Sequence, residues 1–139
     1  MKKLALSLLV FCAAFLTAHA QHSTKSVDVT QTPPEVIFKK VINTPKLKNQ
    51  QITMIIVTFA PGEVSGAHRH PIQTVAYVLE GELQSTFNGK VERFKKGDAF
   101  YEDPNGLHAE TRNLSATKEA KLLVYFIGDK GKTFITAAH

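Results

Sequence analysis

From Glu35 onward, short runs rich in isoleucine, valine, threonine, phenylalanine and tyrosine alternate with turn-forming residues. EVIFKKVI gives way to NTPK, QITMIIVTFA to Pro61-Gly62, and TVAYVLE to Gly81. ELQSTFN and KVERF flank Asn88-Gly89, whose residues readily take positive φ and so favour a two-residue hairpin turn. KKGDAFYED runs into Pro104-Asn105-Gly106, and AKLLVYFIGD into Lys130-Gly131. No window keeps apolar residues at the helical period over the length of a helix. β-Branched and aromatic residues fill the runs because they pack well on a pleated surface. Short strands at intervals of roughly ten residues predict a single all-β domain, a sandwich or barrel.

The N-terminal residues break this pattern. Lys2 and Lys3 precede the apolar run LALSLLVFCAAFL, and Ala18-His19-Ala20 closes it with small residues where a signal peptidase cuts. The run is shorter than the ~20 apolar residues that a membrane-spanning helix needs. A signal peptide of residues 1–20, cleaved after Ala20, is therefore expected, with a periplasmic or secreted product and no membrane attachment after cleavage. Cys12, the one cysteine of the chain, lies in the removed segment. The mature chain then offers no thiolate ligand, cysteine nucleophile or disulfide, and a metal must be held by nitrogen and oxygen. Residues 21–34 are polar, end in Pro33-Pro34, and read as an N-terminal arm.

Charge narrows the partners. The formal net charge of +5 falls to +3 when Lys2 and Lys3 leave. The remaining basic residues are scattered, and none forms an aromatic-interleaved stripe, so no nucleic-acid partner is expected. Asn113-Leu114-Ser115 fits a glycosylation acceptor, a reading given little weight beside a lysine-led, bacterial-type signal.

The chemistry concentrates in the histidines. Side chains alternate faces along a strand, so His68 and His70 point to one side with Arg69 opposite. Two imidazoles so placed can chelate a divalent metal, although a surface strand would look the same. Of the other histidines of the mature chain, His22 and His139 lie near the chain ends, where order is least common. His108 follows the Pro104-Asn105-Gly106 turn and is the natural third partner. Glu110, two residues on, is the candidate general base, with a surface glutamate as the plainer reading. Tyr77, Phe100, Tyr101, Tyr125 and Phe126 read as core or interface residues.

These segments carry a resemblance. Gly62 to His70 (GEVSGAHRH), continuing to Gly81, is similar to the first motif of the cupin superfamily. Gly97 to His108 (GDAFYEDPNGLH), with Asn113 beyond, is similar to the second. The resemblance implies a small cupin: an antiparallel β-barrel or double-stranded β-helix (jelly roll) over residues 35–139, with a motif core at about 58–127. It also implies that His68, His70 and His108 are metal ligands. Two departures stand out. Where the family usually has a glutamate ligand this chain has Thr74, and its Pro104 and Gly106 fall one residue late. Gln73 is a possible fourth ligand through its carbonyl oxygen if Pro71 introduces a bulge that turns it inward. Gln73 and Thr74 are also the candidate substrate contacts.

Three neutral imidazoles leave a divalent ion its full charge and leave positions open for water, substrate or O₂. Such a site resembles the three-histidine iron centres of cupin dioxygenases that lack the glutamate. The expected cofactor is one divalent transition metal, Fe(II) first, with Mn, Zn, Ni and Cu as alternatives, of which export to an oxidising compartment favours Zn, Mn and Cu. The expected function is an oxygenase- or isomerase-type metal enzyme acting on a small polar or anionic molecule. A non-catalytic binding or sensing module is the alternative, since cupins host many chemistries. A homodimer sharing the EVIFKKVI strand follows from the resemblance alone.

Overall fold

The computed structural model describes residues 33–138. The expected signal peptide, its cleavage point, residues 21–32 of the arm, His22 and His139 lie outside the described residues.

Ten strands form among the described residues: β1 Glu35–Ile42, β2 Gln50–Phe59, β3 His68–Arg69, β4 Gln73–Glu80, β5 Glu82–Phe87, β6 Lys90–Lys95, β7 Ala99–Glu102, β8 His108–Asn113, β9 Ala120–Asp129 and β10 Thr136–Ala137. They make two five-stranded antiparallel sheets, ordered β1-β2-β9-β4-β7 and β10-β3-β8-β5-β6. The two sheets face each other as the jelly roll that the sequence predicts. No helix among the described residues is long and apolar enough to cross a membrane.

Alternation decides what each strand buries. In β4, Thr74, Ala76 and Val78 are buried while Gln73, Val75 and Tyr77 are exposed. In β9 the buried positions are Ala120, Leu122, Val124 and Phe126. With Ile55, Phe59 and Leu83 they form the apolar core between the sheets. Phe94 and Phe100 stack at its edge, their ring centres 4.1 Å apart. Tyr77, Tyr101 and Tyr125 instead stand on the outer face of the first sheet, so of the five aromatic residues expected in core or interface these three leave the core.

Two turns show why the sequence signals work. Asn88 and Gly89 both take positive φ (48° and 80°) and join β5 to β6 by the two-residue turn their identities predict. In the β7–β8 turn, Asn105 takes φ 62°, which preserves a tight turn despite the late proline. Gly106 serves there by its size: a Cβ at this position would lie 2.1 Å from the Phe87 ring. The Asn105 N–H donates to the His70 carbonyl at 2.7 Å, and the Arg69 guanidinium donates to the Asn105 carbonyl at 2.6 Å. The turn is thereby pinned to the segment that carries the first two histidines.

Candidate metal centre

His68 and His108 sit directly opposite each other on β3 and β8, and His70 follows β3. Their ring centres lie 4.7 Å (His68–His108), 4.8 Å (His68–His70) and 6.3 Å (His70–His108) apart. One ligand nitrogen from each can be chosen so that all lie within 4.8 Å of one another. The three residues singled out in the sequence therefore meet at one point between the sheets.

Backbone carbonyls set the chemistry of two of these rings. His68 Nδ1 lies 2.8 Å from the Gly66 carbonyl and His70 Nδ1 lies 2.5 Å from the Phe134 carbonyl. A carbonyl only accepts, so each Nδ1 carries the hydrogen and each Nε2 presents a bare lone pair. Those two Nε2 atoms face each other at 3.2 Å. Lone pairs at that distance repel unless a cation or proton lies between them. Burial lowers the pKa of both rings, partly offset by the same carbonyl contacts, so neutral imidazole is favoured over a trapped proton.

His108 completes the arrangement from the opposite direction. Its Nε2 lies 2.5 Å from Thr111 Oγ1 and 3.2 Å from Ser85 Oγ, within hydrogen-bond reach of two hydroxyls that can each donate or accept. Its buried Nδ1 makes no hydrogen bond. Glu102 Oε1 is 3.2 Å away, close enough for an ionic contact but too far out of line to be the acceptor of an N–H. Three imidazoles converging on one point, two held behind by carbonyls and the third by hydroxyls, fit a divalent metal bound through imidazole. His68, His70 and His108 would hold it.

The structure separates the other expected site residues. Gln73 is exposed and faces away from the cluster, because the ladder runs regularly from Gln73 to Val78 and its irregularity falls only between Val78 and Glu80. The bulge that would turn Gln73 inward after Pro71 is not formed, so neither a fourth-ligand role nor a cavity contact is available to it. Thr74 is buried and lines the cavity, with its hydroxyl donating to the Ile72 carbonyl at 3.1 Å. Glu110 does not share the cavity with His108. Thr86 pairs with Glu110 but Phe87 pairs with His108, so Ala109 is an extra residue in β8. This bulge brings Thr111, rather than Glu110, onto the face of His108. Glu110 lies 3.8 Å from Arg112 at the surface.

Sequence reasoning missed Glu102. It is 3 % exposed, sits opposite Thr74 in the β4–β7 ladder, and places Oε2 3.5 Å from His70 Nε2. Alternation along AFYE puts Phe100 and Glu102 on one face, which was a usable signal. Its pairing with Thr74 depends on register, which no local pattern prints. Asn113, buried, donates to the carbonyls of Phe59, Ala60 and Lys118, so its amide clasps loops and is sealed from glycosylation.

Beside the cluster lies a cavity of about 330 Å³. Ile55, Val57, Leu122, Val124, Phe126 and Phe134 are among the apolar residues that line it. Its polar groups gather around the histidines, Glu102, Thr74 and Thr111, with Glu63 and Ser65 nearby, and no lysine or arginine among the described residues lines it. Glu63 Oε2 is already engaged by the Ala60 N–H at 2.6 Å.

The cupin domain family matches residues 55–126, which include all three histidines and both strands of the β4–β7 pair. This chain is a cupin. A double-stranded β-helix protein from Klebsiella pneumoniae superposes with a TM-score of 0.61 at 19% identity, covering 80% of this chain and 87% of that one. An RmlC-like cupin from Shewanella frigidimarina gives 0.52 at 21% identity, covering 73% and 87%. An oxalate oxidase in complex with the substrate analogue glycolate gives 0.52 at 26% identity, covering 61% of this chain and 45% of that one. No curated protein sequence matches the chain.

Proposed function

We propose that this cupin is an exported metal-dependent enzyme of the oxygenase or isomerase type, acting on a small molecule with an anionic chelating head and an apolar body. The observation that carries the reading is the convergence of three histidine nitrogens at the polar end of an otherwise apolar cavity. A divalent ion bound there would supply Lewis acidity toward a carboxylate or enolate oxygen, with Fe(II) first and Mn, Zn, Ni or Cu as alternatives. The residues do the rest. Gly66 and Phe134 carbonyls fix the tautomers of His68 and His70, and Ser85 and Thr111 orient His108. The apolar walls exclude water and fit a hydrocarbon portion of the substrate. Since no lysine or arginine among the described residues lines the cavity, an anionic head has the metal centre as its cationic partner there.

The glycolate complex of the oxalate oxidase supports 2-hydroxy and 2-oxo acids as first probes. The test is elemental analysis of protein purified without a metal-binding tag, followed by O₂ uptake with such acids and with diketones. About one equivalent of a redox-active metal and substrate-dependent uptake are expected. A non-catalytic binding module is the second reading, favoured by Glu110 facing away from the cavity. Ligand binding without turnover in any assay would select it. Export belongs to the proposal and predicts a mature N-terminus at Gln21, read by N-terminal sequencing. Self-association does too: among the described residues β1 is an edge strand that exposes Val36, Ile37 and Phe38, and a second copy would cover it. Sedimentation equilibrium checks this.

A further inference from the structure

Glu102 presents an electrostatic problem that the histidines alone do not solve. It is 3 % exposed, and among the described residues no lysine or arginine lines its cavity. Burying a carboxylate without a counter-charge is costly, so buried acids are paired or bind metal. Its polar neighbours are His70 Nε2 at 3.5 Å and His108 Nδ1 at 3.2 Å. His70 Nε2 is bare, because Nδ1 donates its hydrogen to the Phe134 carbonyl. His108 Nδ1 is the buried nitrogen without a hydrogen bond. The carboxylate therefore meets one bare ring nitrogen and one that makes no hydrogen bond, and no lysine or arginine among the described residues lining the cavity balances its charge.

Resting on the three-histidine reading above, we propose that Glu102 is the anionic ligand of the same centre, which makes it a three-histidine, one-carboxylate site. A cation at the cluster removes each anomaly at once. It separates the His68 and His70 lone pairs, uses the orphaned nitrogen of His108, and neutralises the carboxylate. The register explains the route. Thr74 and Glu102 are directly opposite partners on β4 and β7, so cross-strand neighbours on one face present side chains to the same space. Thr74 turns its hydroxyl to the Ile72 carbonyl and leaves that space to the carboxylate. The carboxylate absent from position 74 thus arrives from the adjoining strand. With it bound, a divalent centre carries a net charge of +1, and a substrate head with one negative charge, rather than two, balances it.

Co(II) and Zn(II) titrations of the purified metal-free full chain test this, with Co(II) absorption and carboxylate infrared bands as readouts. Wild-type protein is expected to bind one equivalent and to show one carboxylate band shifting on Zn(II) addition. Glu102→Gln, of equal size but neutral, is expected to lose affinity by about tenfold or more and to change the Co(II) spectrum. The Thr74→Glu/Glu102→Thr double variant, which moves the carboxylate across the strand pair, is expected to recover affinity. Stoichiometric wild-type binding with no carboxylate shift, or wild-type affinity and spectrum in Glu102→Gln, overturns the Glu102 assignment and leaves the three-histidine centre standing. Equal binding by wild type and His68→Ala, or none by wild type, overturns the three-histidine reading itself. The infrared readout on wild-type protein decides the matter even if a variant fails to fold.

Discussion

The two walls of the polar end are built on different plans. On the β3–β8 wall every histidine is gripped on its far side, His68 by Gly66, His70 by Phe134, and His108 by Ser85 and Thr111. On the β4–β7 wall Glu102 makes its polar contacts with the histidines themselves. One wall is prepared by hydrogen bonds; the other is positioned by strand register and completed by charge. Direction is therefore written into the nitrogens, whereas the carboxylate depends on what occupies the space between.

The largest effect should come from deleting the prepared wall. His68→Ala or His108→Ala is expected to abolish metal binding while the β-sheet circular dichroism survives; stoichiometric metal by elemental analysis in either variant would defeat the three-ligand centre. Loosening the grip rather than the ligand should cost less. Ser85→Ala combined with Thr111→Val leaves His108 in place but frees its ring, and about 10–100-fold weaker Zn(II) binding is expected by competitive titration.

A smaller effect should appear with pH. Burial holds His68 and His70 below the ordinary imidazole value of 6.5. Below 6.5 the unfolded chain takes up protons that the folded chain resists, so their contribution to stability is full above that pH and declines as pH falls toward the folded values. Denaturant midpoints of metal-free protein from pH ~8 to ~5 should fall on the acid side, and the fall should shrink in a His68→Ala/His70→Ala variant. The smallest effects belong to residues that face neither wall. Gln73→Ala and Glu110→Gln should bind Zn(II) within about twofold of wild type, in line with surface substitutions generally. A large loss in either would mean that the register of β4 or the bulge in β8 differs in solution.

What could be read in advance follows the regularity of the strands. Where alternation is unbroken, as in β4, sequence and structure agree on the strand, and its burial pattern places Thr74 inward and Gln73 outward. The histidine trio was legible because motif spacing and turn chemistry survive local irregularity. Glu110 matches its plainer reading as a surface glutamate, and the general-base alternative fails because a single extra residue, Ala109, reverses the faces of β8, and alanine carries no signature of a bulge. Glu102 was missed for a different reason. Its partner Thr74 is 28 positions earlier in the chain, brought opposite only by the pairing of β4 with β7. The clasp by Phe134 was equally hidden, since it uses a carbonyl that any residue would supply.

That clasp also sets a timetable. The centre needs residues from 66 to 134, and β3 is flanked by β10 at Thr136–Ala137. A growing chain that has emerged only as far as Asn113 already carries His68, His70 and His108. It lacks the carbonyl that fixes one tautomer and the strand that braces the other two-residue strand. Tight metal uptake must then follow synthesis of the segment beyond Phe134, and a chain stalled or clipped before it would present all three ligands yet hold metal poorly.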